Sequence, residues 1–238
     1  MKTIIIAGCS WGAGAWKNSN LVHSGLAHYI QDIGYNVINI SQPGLGPFSI
    51  LQPIDNLLYV NKQFLNIEHI FILQSDIGRD LIPYDRFNSI TKWKFREFDD
   101  TDLNNNIKHL YSDFYNKLNY SAEQRQIKIS LIGGLTDLVM DVSQDFPYLD
   151  FVVPSWIKLM HPEAQTVHIH ELENIPETHK DKTQMLPLLD ASNSIFRLFK
   201  DSNYFPDNLH PDEHGHKILF NHLKDLGFFH SPSKFVNP

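Results

Sequence analysis

Two short motifs at opposite ends of the 238-residue chain contain the residue types of nucleophilic catalysis. Near the start, an apolar run ends in Gly8-Cys9-Ser10, so a hydroxyl follows directly on a small-residue turn. Near the end, Asp207 precedes His210 by three residues in the segment Asp-Asn-Leu-His-Pro. At this spacing a carboxylate can hold the Nδ1–H of an imidazole and turn its Nε2 toward a serine. The chain therefore offers a nucleophile, a base and an orienting acid, provided that the fold brings its two ends together.

Five short apolar segments predict the strands that would support these motifs. Because they are apolar on both faces, they are typical of a sheet that is covered on both sides and mostly parallel. Ligands of such sheets bind beyond the carboxyl ends of the strands, which is where Ser10 would lie. The predicted strands are Thr3–Gly8, 35–40, 69–74, 127–132 and Leu149–Val153.

Apolar residues at spacings of three and four predict helices between and after these strands. The alternation of strands and helices predicts an α/β, three-layer, flavodoxin-like fold with a central parallel sheet of about five strands. The first helix would begin near residues 18–20 and stop before Gly34. The predicted helical segments are 21–33, 54–65, 107–118, 194–199 and 213–226.

The length favours a single domain, 1–238, and we find no internal repeat. Two segments, 79–102 and 154–182, fit the alternation poorly because they are long and mixed in composition. Segments of this kind in a compact domain are typical of insertions or lids. We therefore expect one domain with two such additions.

Composition excludes several classes of protein. The net charge is −7, and no run of Lys and Arg is present, so a nucleic-acid partner is not expected. The single cysteine, Cys9, rules out an intramolecular disulfide. No apolar run approaches the roughly 18 residues of a membrane span, and the stretch before Cys9 is shorter than the roughly 7–15 apolar residues of a signal peptide. We expect a cytoplasmic or otherwise soluble protein with no membrane partner.

The two end motifs resemble the first and last blocks of the SGNH/GDSL hydrolases. The first block of that family is Gly-Asp-Ser after strand one, where this chain has Gly8-Cys9-Ser10. The last block is Asp-x-x-His-Pro before the final helix, which residues 207–211 match in full. The resemblance implies a triad of Ser10, His210 and Asp207 that needs no cofactor or metal. Cys9 is the neighbour of Ser10, but adjacent residues of an extended chain point in opposite directions, and the family pattern selects Ser10.

The middle blocks of the family are matched less closely. Its second block is a glycine after strand two, for which Gly44 is the first choice and Gly46 the second. Its third block, Gly-x-Asn-Asp, corresponds to Leu-Gln-Ser-Asp at residues 73–76. The resemblance implies that the backbone N–H groups of Ser10 and Gly44, together with Ser75, stabilise an oxyanion.

The family resemblance also implies an activity and a class of substrate. We expect a serine esterase that hydrolyses an O-acyl ester, with carbohydrate O-acetyl groups among the candidates. Its partner would be a small-molecule or carbohydrate ester, and the oligomeric state is left open. Residues near the motifs that we expect to contact this substrate are Trp11, Gln74, Asp76 and Arg79.

Two other functions compete with the esterase. Because the third block departs from the family pattern, a catalytically weak or inactive SGNH-like binding or structural protein is one alternative. A metal-dependent hydrolase is the other, since several potential ligands cluster near the chain end and His168 and His170 alternate on a possible strand. The clustered residues are Asp207, His210, Glu213, His214 and His216.

Overall fold

The computed structural model describes residues 1–14, 24–61, 66–75, 100–134, 137–139, 145–168, 183–187, 195–200, 204–205 and 210–229. The strands in this part of the chain are β1 (Thr3–Gly8), β2 (Asn36–Asn39), β3 (Ile67–Gln74), β4 (Ile129–Gly133), β5 (Leu149–Val153), β6 (Gln165–His168), β7 (Thr183–Pro187) and β8 (Ile195–Lys200). The helices are α1 (Ser10–Ala13), α2 (Leu26–Asp32), α3 (Pro47–Asn61), α4 (Asp100–Arg125), α5 (Trp156–Met160) and α6 (Glu213–Asp225).

The central sheet has five parallel strands in the order β2-β1-β3-β4-β5. This is the flavodoxin-like order, so the predicted α/β fold and the predicted number of strands are confirmed. All five strands lie where the sequence predicts them, with bounds that differ by no more than two residues. The strand order reverses between β1 and β3, and such a reversal opens a crevice at the carboxyl ends of the two strands.

Strand β1 shows why the sheet is covered on both faces. Its side chains alternate between two clusters, with Ile4 and Ile6 on one face and Ile5 and Ala7 on the other, all fully buried. The first face packs against α2, α5 and α6, and the second against α3 and α4. This arrangement gives the three layers that the apolar strands predict. Full burial of an isoleucine side chain stabilises a fold by about 1.5–3 kcal/mol.

The helix predictions are confirmed with one exception. Helices α2, α3, α4 and α6 overlap the predicted segments, although residues 15–23 and 62–65 lie outside the described part. The helix prediction for the segment 194–199 is wrong, because its described residues 195–199 belong to strand β8. It pairs with β6 and β7 in a second, antiparallel sheet of order β6-β8-β7. A run of six residues is too short for its periodicity to separate a strand from a helix, and pairing with neighbouring strands decides the outcome.

The two predicted insertions are described only in part. Residues 76–99 and 169–182 lie outside the described ranges, while α5 and β6 belong to the second insertion. The single-domain organisation stays a prediction. In the part of the chain that is described, no helix combines the length and apolar character needed to cross a membrane.

His69 on β3 is expected to make stability depend on pH. Its Nε2 lies 2.6 Å from Ser130 Oγ, and its ring packs against Phe71 and Phe228. Burial lowers the pKa of His69 to about 4, although the nearby carboxylates of Asp150 and Glu68 act to raise it. The unfolded chain, with a histidine pKa near 6.5, binds the extra proton first. Stability is therefore lost as the pH falls from about 6.5 to about 4, by up to about 3 kcal/mol, and this contribution is constant above that window.

Urea unfolding of the wild type and of His69→Gln at pH 7.5 and at pH 4.5 tests this prediction. The free energy of unfolding should fall more steeply with acid in the wild type than in the variant, because only the wild type has the buried imidazole. Parallel losses in the two proteins would show that His69 does not carry this pH dependence.

Candidate active site

The predicted nucleophile lies at the carboxyl end of β1, where the strand order reverses. Cys9 is the N-cap of α1, fully buried among apolar residues, and Ser10 is the first residue of that helix. The short helix α1 was not predicted from the sequence, and the predicted start near 18–20 of the next helix lies outside the described residues. A side chain on Gly8 would bring its Cβ within 2.8 Å of the carbonyl oxygen of Leu73, so this turn requires a glycine.

The structure brings the two ends of the chain together at this turn. His210 Nε2 lies 2.9 Å from Ser10 Oγ, although the residues are 200 positions apart. This is hydrogen-bond distance, as expected for a nucleophile and its general base. Ser10 is buried, and His210 is partly exposed. The pair therefore combines a sheltered hydroxyl with an imidazole that solvent can reach.

Hydrogen bonds of Asp212 hold the segment that follows His210. After Pro211, the carboxylate of Asp212 caps α6 by accepting a hydrogen bond from Gly215 N at 3.0 Å. The backbone N–H of Asp212 donates to the carbonyl of Tyr204 at 2.7 Å. Asp207 lies outside the described residues, so its contact with His210 Nδ1 stays a prediction.

Phe205 joins this segment to the serine turn. Its ring lies 5.9 Å from that of Trp11, the residue after Ser10, and 6.4 Å from that of His161, measured between centroids. Trp11 also meets Trp156 edge to face at 5.3 Å. Trp11 is fully buried in this aromatic cluster, which does not favour the predicted contact with substrate. The cluster instead packs the turn of Ser10 against the chain that leads to His210.

The first predicted oxyanion donors lie at the same edge of the sheet. As the first residue of α1, Ser10 has a backbone N–H without an acceptor inside the helix. The segment after β2 runs beside β1, because Gln42 N donates to Gly8 O at 3.0 Å. Gly44 follows in a turn with φ of +84°, a conformation that favours glycine. Gly46, the second choice for this role, is buried.

Ser75, the third predicted donor, is fully buried directly after β3, and its carbonyl accepts a hydrogen bond from Tyr111 OH at 2.9 Å. Gln74 Oε1 accepts from Tyr115 OH at 2.6 Å, and Gln74 Nε2 donates to Asp137 O at 2.8 Å. Both ends of the Gln74 amide thus bind protein groups in the interior. This does not favour its predicted contact with substrate and gives it a part in holding the rim together.

The remaining predicted substrate contacts, Asp76 and Arg79, lie outside the described residues. Sequence reasoning missed the support that Tyr115 gives to Gln74, and it treated Tyr111 as part of an apolar stripe. A tyrosine in such a stripe looks like core packing, and the position of its hydroxyl depends on which strand the helix covers. It also missed Asn39, whose side chain bonds to Gly12 O and to Ser41 N, since a lone asparagine at the end of a strand has no motif of its own.

The histidines proposed as metal ligands point to different places. His210 faces Ser10, His214 is exposed, and His216 is buried, where its Nδ1 accepts a hydrogen bond from Leu26 N at 3.0 Å. Among the described residues, no group of three or more His, Cys, Asp or Glu side chains could hold a metal ion. Asp207 and His170 fall outside those residues.

Comparisons with known proteins find similarity in structure only. No protein-family model matches the sequence, and no curated protein does. Among solved structures, the chain is similar to the psychrotrophic esterase EstA from Pseudoalteromonas sp., with 14% identity, a TM-score of 0.45 and 94% of each chain covered. It is also similar to a member of the lipolytic protein G-D-S-L family from Veillonella parvula, with 12% identity and a TM-score of 0.47. That match covers 95% of this chain and 98% of the other.

A further similar structure is Axe2, an acetylxylan esterase from Geobacillus stearothermophilus. The identity is 15%, the TM-score is 0.41, and 98% of this chain and 97% of the other are covered. The Veillonella parvula protein is itself a member of the family that the end motifs of this chain resemble.

Proposed function

We propose that the protein is a serine esterase in which Ser10 is the nucleophile, His210 the general base and Asp207 the acid that orients His210. The observation that carries the proposal is the 2.9 Å distance between His210 Nε2 and Ser10 Oγ. An apo active site often shows a longer contact, so a pair already within hydrogen-bond reach supports a preorganised site.

The proposed reaction proceeds in two steps. In the first, His210 Nε2 takes the proton of the Ser10 hydroxyl while Oγ attacks the ester carbonyl carbon, and His210 then gives this proton to the leaving alkoxide as the C–O bond breaks. In the second, His210 takes a proton from water, the hydroxide attacks the acyl-enzyme, and the proton returns to Ser10 as the carboxylic acid leaves. For His210 to accept from Ser10, its own proton must be on Nδ1, which is where Asp207 would hold it.

The backbone N–H groups of Ser10 and Gly44, together with Ser75, would stabilise the oxyanion of each step. Loss of one oxyanion donor typically lowers the rate about 10²–10³-fold. Because a serine stands where the resembled family has an asparagine, we propose that turnover is slower than three well-placed donors would allow. The bonds that Tyr111 and Tyr115 make to this part of β3 favour a rigid third donor.

The substrate class that we propose is an O-acyl ester of a small molecule or a carbohydrate. This substrate class is taken from the range of esters that the resembled family hydrolyses, and not from particular residues of this chain. A panel of acetylated oligosaccharides and short aryl esters would separate these substrates, since the sugar would raise kcat/KM only if the enzyme binds it.

Turnover of a short-chain aryl ester by the wild type and by Ser10→Ala tests the proposed activity. We expect hydrolysis by the wild type and a loss of at least about 10³-fold in Ser10→Ala, because the nucleophile is removed. A folded wild type without turnover would instead favour the inactive binding protein. Activity that survives Ser10→Ala but is lost on chelation would favour the metal-dependent hydrolase.

A further inference from the structure

The side chain of Asn39, the last residue of β2, connects two segments of the candidate site. Its Nδ2 donates to the carbonyl of Gly12 in α1 at 2.9 Å, and its Oδ1 accepts from the backbone N–H of Ser41 at 3.0 Å. We propose that Asn39 is a positioning residue that holds the helix of Ser10 at a fixed distance from the segment of Gly44. The inference rests on the proposed esterase function.

Helix α1 needs an external support of this kind. It has only four residues, too few for its own hydrogen bonds to keep it folded. The carbonyl oxygens of the last four residues of a helix accept no hydrogen bond from within that helix, and Gly12 O is one of them. The bond from Asn39 occupies this carbonyl and ties the helix to β2, which is itself paired with β1.

The contact between Gly12 and Ser41 shows independently that the two segments are fitted closely. A Cβ on Gly12 would clash with Ser41 Oγ and lie 3.1 Å from Ser41 Cβ, so any larger residue would force Ser41 to move. Ser41 N is the atom that Asn39 holds. The same amide therefore fixes both partners of the close contact.

Backbone bonds make the rest of this unit rigid. Ile40 N donates to Ile6 O at 2.8 Å, and Gln42 N donates to Gly8 O at 3.0 Å, so residues 40–42 extend the pairing with β1. These bonds place the segment before Gly44 relative to the strand, but they do not reach helix α1. Asn39 adds a hydrogen bond between this segment and the helix, and a displacement of about 1 Å in such a site can cost about 10²-fold in rate.

An asparagine suits the task because it donates and accepts from one planar group. Aspartate would keep the acceptor for Ser41 N, but it would lose the donor and place a carboxylate oxygen against the carbonyl of Gly12. We therefore expect Asn39→Asp to be as harmful to the site as Asn39→Ala.

Steady-state kinetics on a short aryl ester, together with the rate of Ser10 labelling by a fluorophosphonate, test the inference. The matched control is Asn36→Ala, which removes an asparagine from the other end of the same strand. Asn36 Nδ2 donates to Thr3 Oγ1 at 3.2 Å, far from the carboxyl rim of the sheet. Rates are expressed per folded molecule, and Asn39→Ser serves as a milder variant if Asn39→Ala does not fold.

We expect both Asn39→Ala and Asn39→Asp to lower kcat and the labelling rate about 10–100-fold, with KM within about twofold of the wild type. Asn36→Ala should keep kcat within about twofold. Equal kinetic losses in the Asn36 and Asn39 variants, or a raised KM at unchanged kcat, would overturn the inference while the wild type still showed Ser10-dependent turnover. A wild type without such turnover would remove the proposed function and this inference with it.

Discussion

Replacement of His210 by glutamine is expected to lower kcat for an aryl ester by about 10³-fold or more, with the protein still folded. Glutamine fills similar space and can hydrogen-bond to Ser10 Oγ, which lies 2.9 Å from His210 Nε2. It cannot accept the serine proton, because an amide is not a base at neutral pH. The hydroxyl would therefore remain protonated and weakly nucleophilic.

The neighbouring His214 provides a matched control for this loss. It lies four residues further along, with a side chain that is 76% exposed, and its Nδ1 is 3.5 Å from Asp212 Oδ2. His214→Gln makes the same chemical change at the start of α6, the helix that follows His210, and should leave kcat within about twofold, since surface substitutions rarely perturb a fold. If the two variants lost activity equally, or if His210→Gln kept most of it, His210 would not be the base.

Truncation of Trp11 to alanine is expected to have the largest effect on stability, about 3–5 kcal/mol. The ring is fully buried and meets Trp156 at 5.3 Å and Phe205 at 5.9 Å between centroids. Its removal would leave a cavity between the nucleophile turn and the segment that leads to His210. We therefore also expect a loss of kcat per folded molecule of about tenfold or more, because the distance between Ser10 and His210 would no longer be fixed.

Phe114→Ala separates these two effects of Trp11→Ala. Phe114 is also buried, but it lies on α4 in the cluster that covers the opposite face of the sheet. Urea unfolding should show a comparable loss of stability in both variants, whereas kcat per folded molecule should fall only in Trp11→Ala. Unchanged kcat in both would mean that the aromatic cluster stabilises the fold without aligning the site.

The strands of the central sheet could be predicted because burial on both faces leaves a simple pattern. Positions 4, 5 and 6 must all be apolar, since successive side chains of the strand enter opposite hydrophobic layers, and all three are isoleucine. Local sequence could therefore predict β1 without knowledge of its partners. The second sheet is different, because β8 is too short for its apolar periodicity to identify it, and its pairing with β6 and β7 makes it extended.

The length and composition of segment 195–200 contain a signal that could have identified it as a strand. Six residues with one β-branched and two aromatic side chains are more typical of a strand than of a helix. Helices of that length are rarely stable on their own.

The candidate site could be predicted where it depends on motifs and could not be predicted where it depends on packing. Ser10 and His210 belong to recognisable blocks, and the structure places them in contact. The hydrogen bond from Asn39 to Gly12 depends on where α1 lies against β2. The hydrogen bond from Tyr111 to Ser75 depends on how α4 packs against the end of β3. No spacing in the sequence encodes such contacts, because each joins elements that are far apart in the chain.

The most direct test of the account is to identify the residue that a fluorophosphonate modifies, by mass spectrometry of the digested wild-type protein. We predict a single phosphonyl adduct on Ser10, formed rapidly in the wild type and at a greatly reduced rate in His210→Gln, because only an activated serine attacks the probe. An adduct on another serine, or an unmodified Ser10 in folded protein that hydrolyses esters, would contradict the assignment of Ser10 and His210 as nucleophile and base.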